Sequence, residues 1–291
     1  MKLKEIYNSK KPVISYEIFP PKGEFPEIEP KIDALFQELK VLSKYNPSFI
    51  SVTYGAGGST REKTLELVLK VKNELNIQPL PHFTCVGTEI DQTLEYIKQV
   101  QNAGIENILA LRGDPPKGET KFVKPKNGFG YANELVEFIK SHTDLGIAVA
   151  GYPEGHQECV SFEQDIVNLK KKVDAGSDVI ITQLFYDNNY FLNYLDKTQK
   201  AGINIPIVPG VMIITNVAQI ERMISMCGCT IPDKLMAKLK EYQDDNKAVR
   251  EIGIEYAINQ CKELLENGVP GLHFCTLNKS FATDSVLKEL V

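Results

Sequence analysis

The sequence predicts a closed (β/α)8 barrel, an α/β fold in which eight parallel strands alternate with helices. Eight short apolar runs rich in β-branched residues alternate with amphipathic segments, and most begin about 27–40 residues after the previous one, the length of one βα unit. An Ala-Gly or Leu-Gly dipeptide recurs before four of the runs, at 103–104, 145–146, 175–176 and 201–202. We interpret these dipeptides as the αβ turns of a repeating unit.

The eight strand candidates follow one another along the chain. The first ends at two prolines, which cannot continue a central strand. In order, the candidates are PVISYEIF, FISVTYG, LPHFTCVG, NILALRGD, IAVAGYP, VIITQLFY, IPIVPGVMI and GLHFCTL.

Helix candidates occupy the gaps between the strands. The segment STREKTLELVLKVKNEL offers Ser59 or Thr60 as an N-cap and carries apolar residues at helical spacing. The segments DQTLEYIKQVQNAG and SFEQDIVNLKKKVDAG close with Gly104 and Gly176, which are natural helix stops. The gap before the eighth strand is about twice the usual length, so we expect extra helices there, including NKAVREIGIEYAINQCKELLENG.

A doubly wound open sheet is the structural alternative to the barrel. No GxGxxG motif follows the first strand, which weakens a dinucleotide-binding fold of the Rossmann type. In a barrel, function lies at the carboxyl ends of the strands.

Composition and charge limit the class of protein. Apolar residues make up 43% of the 291 residues and charged residues 24%, which is ordinary for a globular protein. The net charge is −5, so we expect no nucleic-acid partner. The stretch MKLKEIYNSKKP lacks the apolar core of a signal peptide, and no apolar run approaches the roughly 20 residues that span a bilayer. We expect a cytoplasmic protein without a membrane partner.

The six cysteines are scattered, and only Cys227 and Cys229 lie close together. They form no CxxC motif and no Cys/His set with zinc spacing. We interpret them as free thiols of a reduced protein, and we predict no metal site.

Polar or ionisable residues stand at the ends of six predicted strands. Since barrel active sites lie at these ends, we interpret the set as an active site. No GxxxxGK[ST], HExxH or GxSxG motif is present, which favours acid/base chemistry around an organic cofactor or substrate. The set is Glu17, Thr53 to Gly58, His82 with Thr84, Arg112 to Asp114, Tyr152 with His156, and Gln183.

Single members of this set also have structural explanations. Glu17 could form a salt bridge with a neighbour such as Arg112, and Asp114 could cap the turn before two prolines. The glycine-rich run at 55–58 could be only a flexible turn. His273 lies within an apolar run, and we interpret it as a core histidine.

Eight segments carry a family signature. From about residue 13 to residue 280 they are SYEIFPPK, SVTYGAGGSTREKT, PHFTC, ILALRGDPP, YPEGHQE, NLKKKVDAGSDVIITQLFYD, IPIVPGVM and FCTLNKS. Together they resemble methylenetetrahydrofolate reductase in its short prokaryotic form. The resemblance implies a (β/α)8 flavoprotein, with residues 1–291 as a single catalytic domain and without the regulatory domain of the eukaryotic enzymes.

The resemblance also implies an activity. Enzymes of this family use NADH or NADPH to reduce FAD, and the reduced flavin converts 5,10-methylenetetrahydrofolate to 5-methyltetrahydrofolate. The implied partners are the folate substrate and the nicotinamide, in a homo-oligomer. In a variant of this interpretation the electrons arrive from a partner protein. The alternatives are a flavin-free barrel enzyme, such as a pterin-dependent transferase or a lyase, and a non-catalytic folate-binding protein.

Two residues match the family's catalytic positions. Glu17 matches the proton donor, which must protonate the leaving ring nitrogen when the ring closed by the methylene bridge opens. Free glutamic acid has a pKa of about 4.3, and apolar neighbours such as Ile18 and Phe19 would raise the pKa of Glu17. Asp114 matches an aspartate near flavin and folate, where an anion would stabilise the cationic iminium and lower the flavin's potential.

The resemblance assigns a larger set of residues to FAD. Small residues at 55–58 would let the ligand approach the backbone, and Arg112 and lysines can meet a diphosphate. The basic run at 170–172 could also be a solvated helix face. The set is Thr53, Tyr54, Ala56, His82, Arg112, Gly113, Asp114, Tyr131, Ala132, Tyr152, His156, Asp165, Asn168, Lys171 and Lys172.

Gln183, Gln219 and Lys279 match the family's folate contacts. Lys279 replaces the expected arginine, so it keeps a positive charge for the glutamate tail of folate but loses the bidentate fork. Met223 lies where the family often has an aromatic or bulky apolar residue near the nicotinamide.

Overall fold

A computed structural model of the chain describes residues 1–8, 12–23, 26–54, 61–115, 119 and 121–291, with only the backbone at 61 and 62. Within these ranges eight strands form one closed parallel barrel in sequence order, which confirms the predicted fold class. The strands are β1 (Val13–Ile18), β2 (Phe49–Val52), β3 (Gln78–Thr84), β4 (Asn107–Leu111), β5 (Gly146–Gly151), β6 (Val179–Leu184), β7 (Ile207–Val211) and β8 (Gly271–Cys275).

Helices surround the barrel, and three of them fill the long gap between β7 and β8, as predicted. The expected N-cap residues Ser59 and Thr60 lie outside the described residues. The helices described are α1 (Leu3–Ile6), α2 (Glu29–Ser43), α3 (Arg61–Leu75), α4 (Ile90–Asn102), α5 (Ala132–His142), α6 (Phe162–Asp174), α7 (Asn188–Lys200), α8 (Val217–Cys227), α9 (Asp233–Glu241), α10 (Asn246–Glu266) and α11 (Phe281–Leu287).

Three of the four glycine-ending dipeptides are αβ turns. Gly104, Gly176 and Gly202 have φ angles of +66°, +113° and +74°, which glycine adopts without strain. The prediction for the fourth dipeptide is wrong, because Gly146 is already the first residue of β5. Glycine is required there for space, since a Cβ would lie 2.3 Å from Asn107 Oδ1.

The strand register brings polar residues of β1 next to polar residues of the two neighbouring strands, β2 and β8. Ser51 of β2 and Cys275 of β8 lie beside Glu17, and His273 lies beside Ser15. Because side chains two residues apart in a strand face the same way, the polar residues of β1 and β8 form two successive layers.

Apolar side chains close the amino-terminal end of the barrel. Leu3, Ile6 and Tyr7, from α1 and the residue after it, pack with barrel residues such as Phe49 and Leu80 in one buried cluster. The open end is therefore the one at which the carboxyl ends of the strands meet. No helix in the described part of the chain is long and apolar enough to cross a membrane.

Candidate active site

Two adjoining cavities open at the carboxyl ends of the strands. The first has a volume of about 310 Å³ and is lined by residues of β1, β3, β4, β6, β7 and β8, so it lies in the mouth of the barrel. The second has a volume of about 530 Å³ and is lined by the ends of β4 and β5 together with α5 and α6. Leu111 lines both cavities, so they meet at the end of β4.

The structure gathers most of the predicted site residues into these cavities. Glu17, Thr53, Tyr54, His82, Gly113, Asp114, Gln183 and Met223 line the first cavity. Arg112, Tyr131, Ala132, Tyr152, His156, Asp165, Asn168, Lys171 and Lys172 line the second.

Among the described residues, two predicted site residues line neither cavity. Gln219 is exposed, with its Oε1 3.4 Å from Thr215 Oγ1. Lys279 is exposed, and its Nζ lies 3.3 Å from Glu38 Oε1. The prediction for Ala56 is not tested, because that residue lies outside the described residues.

Glu17 lies in the wall of the first cavity, with 20% of its side chain exposed. Its Oε2 is 3.5 Å from His82 Nε2 and 4.0 Å from His273 Nε2. Burial raises the pKa of Glu17 to about 7, because desolvation disfavours the carboxylate, and the neighbouring Cys275 thiol only partly offsets this effect. The side chain can therefore hold a proton near neutral pH.

The two histidines beside Glu17 are neutral. Burial lowers the pKa of His82 and of His273 to about 3, because desolvation disfavours the imidazolium ion. Between about pH 3 and about pH 7 the His82 ring is neutral and the Glu17 carboxyl group is protonated. The two side chains therefore do not form an ion pair in this pH range. His82 Nε2 has no hydrogen-bond partner among the described residues, so a ligand in the first cavity could supply one.

His273 forms the floor of the first cavity below Glu17. Its Nδ1 is 2.8 Å from Ser15 Oγ and its Nε2 is 3.3 Å from Ser51 Oγ, while its ring stacks on Phe49 at a centroid distance of 5.7 Å. Its 3% exposure confirms a core histidine, but its place in the site was not predicted from the sequence. The alternation Ser-x-Glu on β1 and His-x-Cys on β8 was the available signal.

Gly113 shapes the boundary between the cavities. Its φ of +88° is in the left-handed region, and a Cβ there would lie 2.8 Å from Val86 Cγ1 and 2.9 Å from Thr84 Cβ. Only glycine fits this turn. The next residue, Asp114, is exposed and lines the first cavity at its mouth.

Helix α6 supplies one wall of the second cavity. Asp165, Asn168 and Lys172 share one face of the helix because they lie three and four residues apart. Lys172 is half-buried and donates a hydrogen bond to Ala150 O at 2.6 Å, and burial lowers its pKa to about 8. Burial also raises the pKa of Asp165. Lys172 is thus not simply part of a solvated face, whereas Lys171 is exposed.

Glu158 fixes the orientation of Arg112 in the second cavity. Arg112 Nη1 and Nη2 donate to the two carboxylate oxygens of Glu158 at 2.6 and 2.9 Å, and Nε donates to Gly113 O at 3.3 Å. The guanidinium also lies 5.1 Å from the ring centroid of Phe122. A bidentate pair of this kind holds the guanidinium plane in place. The alternative in which Arg112 pairs with Glu17 is therefore wrong.

All six cysteines lie in the described part of the chain and are free. Cys227 and Cys275 line the first cavity, a position that was not predicted for them from the sequence. No group of three or more His, Cys, Asp or Glu residues that could hold a metal ion occurs among the described residues.

The fold and the site define a class of protein. The chain is a (β/α)8-barrel protein with a protonatable acid in the barrel mouth and, beside it, a second cavity lined by basic and acidic side chains. The family model for methylenetetrahydrofolate reductase matches residues 2–291, and the chain belongs to this family.

Named relatives agree with this assignment. The chain is 39% identical over 300 residues to "Methylenetetrahydrofolate reductase (NADH) 1" of Arabidopsis thaliana, in an alignment that covers 99% of this chain and 50% of that protein. It is 35% identical over 267 residues to "5,10-methylenetetrahydrofolate reductase" of Escherichia coli K12, covering 92% of this chain and 86% of that protein. The chain thus spans about half the length of the plant relative.

A solved structure shares the fold. A protein from Clostridium thermocellum, described as binding two copies of 5-methyl-5,6,7,8-tetrahydrofolic acid, superposes with a TM-score of 0.67 and covers 99% of this chain. The alignment covers 98% of that protein at 14% sequence identity, so the likeness concerns the fold alone.

Proposed function

We propose that the chain catalyses the reduction of 5,10-methylenetetrahydrofolate to 5-methyltetrahydrofolate, with bound FAD and with NADH or NADPH as the source of electrons. The names of the Arabidopsis and E. coli relatives support this reaction. The structural observation that carries the proposal is Glu17, a carboxylic acid whose pKa is raised to about 7 inside the first cavity.

The reaction needs an acid that keeps its proton near neutral pH. The ring nitrogen of the substrate leaves as the methylene bridge opens, and a proton must reach that nitrogen. Glu17 can donate it because an acid with a pKa near the working pH is partly protonated and still a useful donor. The neutral state of His82 and His273 supports this role, since imidazolium ions beside Glu17 would favour the carboxylate.

The residues of the second cavity fit the diphosphate and ribose of FAD. Arg112, Lys171 and Lys172 line this cavity and can hold the negative charges of a diphosphate. Asp165 also lines it and can accept hydrogen bonds from ribose hydroxyls.

The residues of the first cavity fit the flavin ring. His82 Nε2 and Thr84 Oγ1 are buried without hydrogen-bond partners among the described residues, and both residues line this cavity. Buried polar atoms are normally paired, so a bound heterocycle would satisfy them. When bound, FAD supplies the hydride chemistry between the nicotinamide and the folate.

Two further residues act on the substrate in this proposal. The Asp114 carboxylate, at the mouth of the first cavity, stabilises the cationic iminium that forms when the ring opens. Gln183 Oε1 accepts a hydrogen bond from Leu184 N at 2.9 Å, which orients the side-chain N–H groups of Gln183 for the folate. We expect nicotinamide and folate to use the first cavity in turn, which gives ping-pong kinetics.

The test is an anaerobic assay of the two half-reactions with protein reconstituted with FAD. NADH and NADPH are each mixed with the oxidised protein, and bleaching of the visible flavin absorbance is followed. Methylenetetrahydrofolate is then added to the reduced protein. Recovery of the absorbance together with 5-methyltetrahydrofolate, identified by chromatography, supports the proposal. Failure of both nicotinamides to bleach the flavin, or recovery without the folate product, contradicts it.

FMN is the matched control for the cofactor. FMN carries the same ring but lacks the diphosphate and the second nucleoside, for which the second cavity offers Arg112 and Lys172. We expect FAD to bind more tightly than FMN in a fluorescence-quenching titration. Equal affinities would remove the role assigned to the second cavity.

A further inference from the structure

The loop after β8 is hydrogen-bonded to the end of β1 at four points. Thr276 N and Thr276 Oγ1 both donate to Glu17 O, at 3.2 and 2.8 Å. Asn278 Nδ2 donates to Phe19 O at 2.8 Å, and Asn278 Oδ1 accepts from Phe19 N at 2.8 Å. The amide of Asn278 therefore pairs with both backbone groups of Phe19, as a neighbouring strand would, although β1 and β8 have both ended.

The backbone of this loop is in an unusual conformation. Leu277 and Asn278 have consecutive φ angles of +49° and +61°. Asparagine tolerates the left-handed region, whereas a bulky residue such as leucine rarely adopts it. Strain of this kind persists where the surrounding contacts over-determine the conformation, and the paired hydrogen bonds of Asn278 are such contacts.

Phe19 connects this loop to the proton donor. Phe19 is half-buried and lines the first cavity together with Glu17. An apolar side chain in the cavity wall limits the water that reaches the carboxyl group. Desolvation is the largest cause of the raised pKa of Glu17, so the position of Phe19 bears directly on that pKa.

The loop after β8 can act on the pKa of Glu17 by changing how much water reaches the carboxyl group, because most other titratable groups around Glu17 carry no charge near pH 7. Burial lowers the pKa of the two histidines and raises the pKa of the two thiols, so all four are neutral near pH 7. The carboxylate of Asp114 lies on the loop after β4, whereas the side-chain hydrogen bonds of Asn278 go to Phe19. The titratable groups that line this cavity with Glu17 are Tyr54, His82 of β3, Asp114, Cys227 of α8, and His273 and Cys275 of β8.

We propose that Asn278 is a positioning residue whose side-chain amide clamps the backbone of Phe19, so that Phe19 covers Glu17 and keeps water from the proton donor. This inference rests on the proposed function, because it states how the same site keeps its acid protonated. Asn278 lies 259 residues from Phe19 in the sequence.

The test compares three variants. Asn278→Gly keeps the left-handed backbone without steric cost and removes both side-chain hydrogen bonds. Phe19→Ala removes the apolar wall while leaving Asn278 in place. Asn76→Gly is the matched control, because Asn76 is an exposed asparagine with φ of +53° that lies between α3 and β3, at the closed end of the barrel.

The first measurement is the titration of the Glu17 carboxyl group in the oxidised holoenzyme by isotope-edited infrared spectroscopy. We expect Glu17 to titrate at lower pH in Asn278→Gly and in Phe19→Ala than in the wild type and in Asn76→Gly. An unshifted titration in Asn278→Gly would overturn the proposal. Should Asn278→Gly fail to fold, an unshifted titration in Phe19→Ala would overturn it equally.

The second measurement is the rate of each half-reaction by stopped-flow absorbance. At neutral pH we expect Asn278→Gly to slow reoxidation by methylenetetrahydrofolate about 10- to 100-fold, since each unit by which the pKa of the acid falls below the pH removes about tenfold of its protonated form. Reduction by the nicotinamide should stay close to the wild-type rate. Equal loss in both half-reactions would indicate a merely structural role and would contradict the proposal.

The two measurements test the role of Asn278 separately from the proposed function. The infrared titration requires no turnover of folate. If the wild type binds flavin but does not reduce methylenetetrahydrofolate, the proposed function fails. The change in the pKa of Glu17 in Asn278→Gly still decides whether Asn278 positions Phe19 over Glu17.

Discussion

The two adjoining cavities differ in how they treat charge. In the first, a carboxylic acid with a pKa raised to about 7 lies beside two histidines with pKa values lowered to about 3, so the deepest groups are neutral or easily neutralised. In the second, the Arg112 guanidinium keeps its charge in a bidentate pair with the half-exposed Glu158. The first cavity thus presents a protonatable acid among neutral groups, and the second presents a guanidinium held in an ion pair.

The Arg112 pair makes the difference. Desolvation is the largest cause of the pKa shifts of Glu17 and His82 in the barrel mouth, and also of Lys172 and Asp165 in the second cavity. For Arg112 the hydrogen bonds to Glu158 are the largest cause, and they raise the pKa of the guanidinium. The boundary falls within three consecutive residues after β4, since Arg112 lines the second cavity while Gly113 and Asp114 line the first. A single turn thus supplies groups to two electrostatic environments.

The largest expected effect comes from Glu17→Gln. Reoxidation of the reduced enzyme by methylenetetrahydrofolate should slow by about 10²- to 10⁴-fold, the usual contribution of a general acid, because glutamine keeps the shape but cannot donate the proton. Reduction by the nicotinamide should change little, since that half-reaction needs no such proton. Stopped-flow flavin absorbance measures each half-reaction separately.

Asp114→Asn is the comparison variant for Glu17→Gln. We expect it to affect both half-reactions, because under the proposed function the charge of Asp114 acts on flavin and substrate alike.

In the wild type, reoxidation should also slow as the pH rises through about 7, since the protonated form of Glu17 is the proposed donor. Reduction of methylenetetrahydrofolate by Glu17→Gln at close to the wild-type rate would remove Glu17 as the acid.

Glu17→Gln should also change the stability of the folded protein, and the change should depend on pH. The pKa of Glu17 is raised from an ordinary 4.5 to about 7 in the folded protein. The stabilising contribution of protonated Glu17 is therefore complete below about pH 4.5 and is lost as the pH rises through about 7. A shift of this size corresponds to roughly 3 kcal/mol. Glu17→Gln should thus raise the melting temperature, relative to the wild type, more at about pH 8 than at about pH 5.

Glu251→Gln controls for the loss of one negative charge, because Glu251 is exposed on α10. Melting curves at both pH values, recorded by circular dichroism, give the comparison. If Glu17→Gln changes the melting temperature equally at both, Glu17 is not the desolvated acid that the first cavity requires.

Arg112→Gln tests the cationic cavity. We expect FAD to bind roughly 10- to 100-fold more weakly, because a hydrogen bond to a charged group contributes about 1.5–3 kcal/mol. Arg250→Gln is the matched control, since the Arg250 guanidinium also lies over an aromatic ring, that of Phe281 at 5.3 Å, and Arg250 lines neither cavity. Equal FAD affinity of the two variants in a fluorescence titration would argue against a diphosphate at Arg112.

The smallest effect should come from Lys279→Gln. Lys279 is exposed and paired with Glu38 outside both cavities, and such surface groups contribute about 0–1 kcal/mol. The KM for methylenetetrahydrofolate should therefore rise no more than about fivefold, and more for a polyglutamylated substrate than for the monoglutamate. Lys238→Gln on α9 is the control. A much larger rise would place Lys279 within the substrate site.

Local patterns predicted much of the fold and part of the site. The alternation of apolar runs and amphipathic segments is a property of neighbouring residues, as is the glycine stop at Gly104. Gly146 shows the limit of this reasoning, because its requirement for glycine arises from Asn107, a residue on the adjacent strand. His273 was predicted as buried, but its contact with Glu17 depends on the pairing of β1 with β8.

By itself, the sequence determined the eight βα units and the polar residues at the strand ends, since both follow from local spacing. Only the tertiary structure decided that Glu17 is an acid among neutral groups, that Arg112 pairs with Glu158 and that Asn278 holds Phe19. The physical reason is that burial and hydrogen-bond pairing are set by residues far apart in the chain, which meet only when the barrel closes.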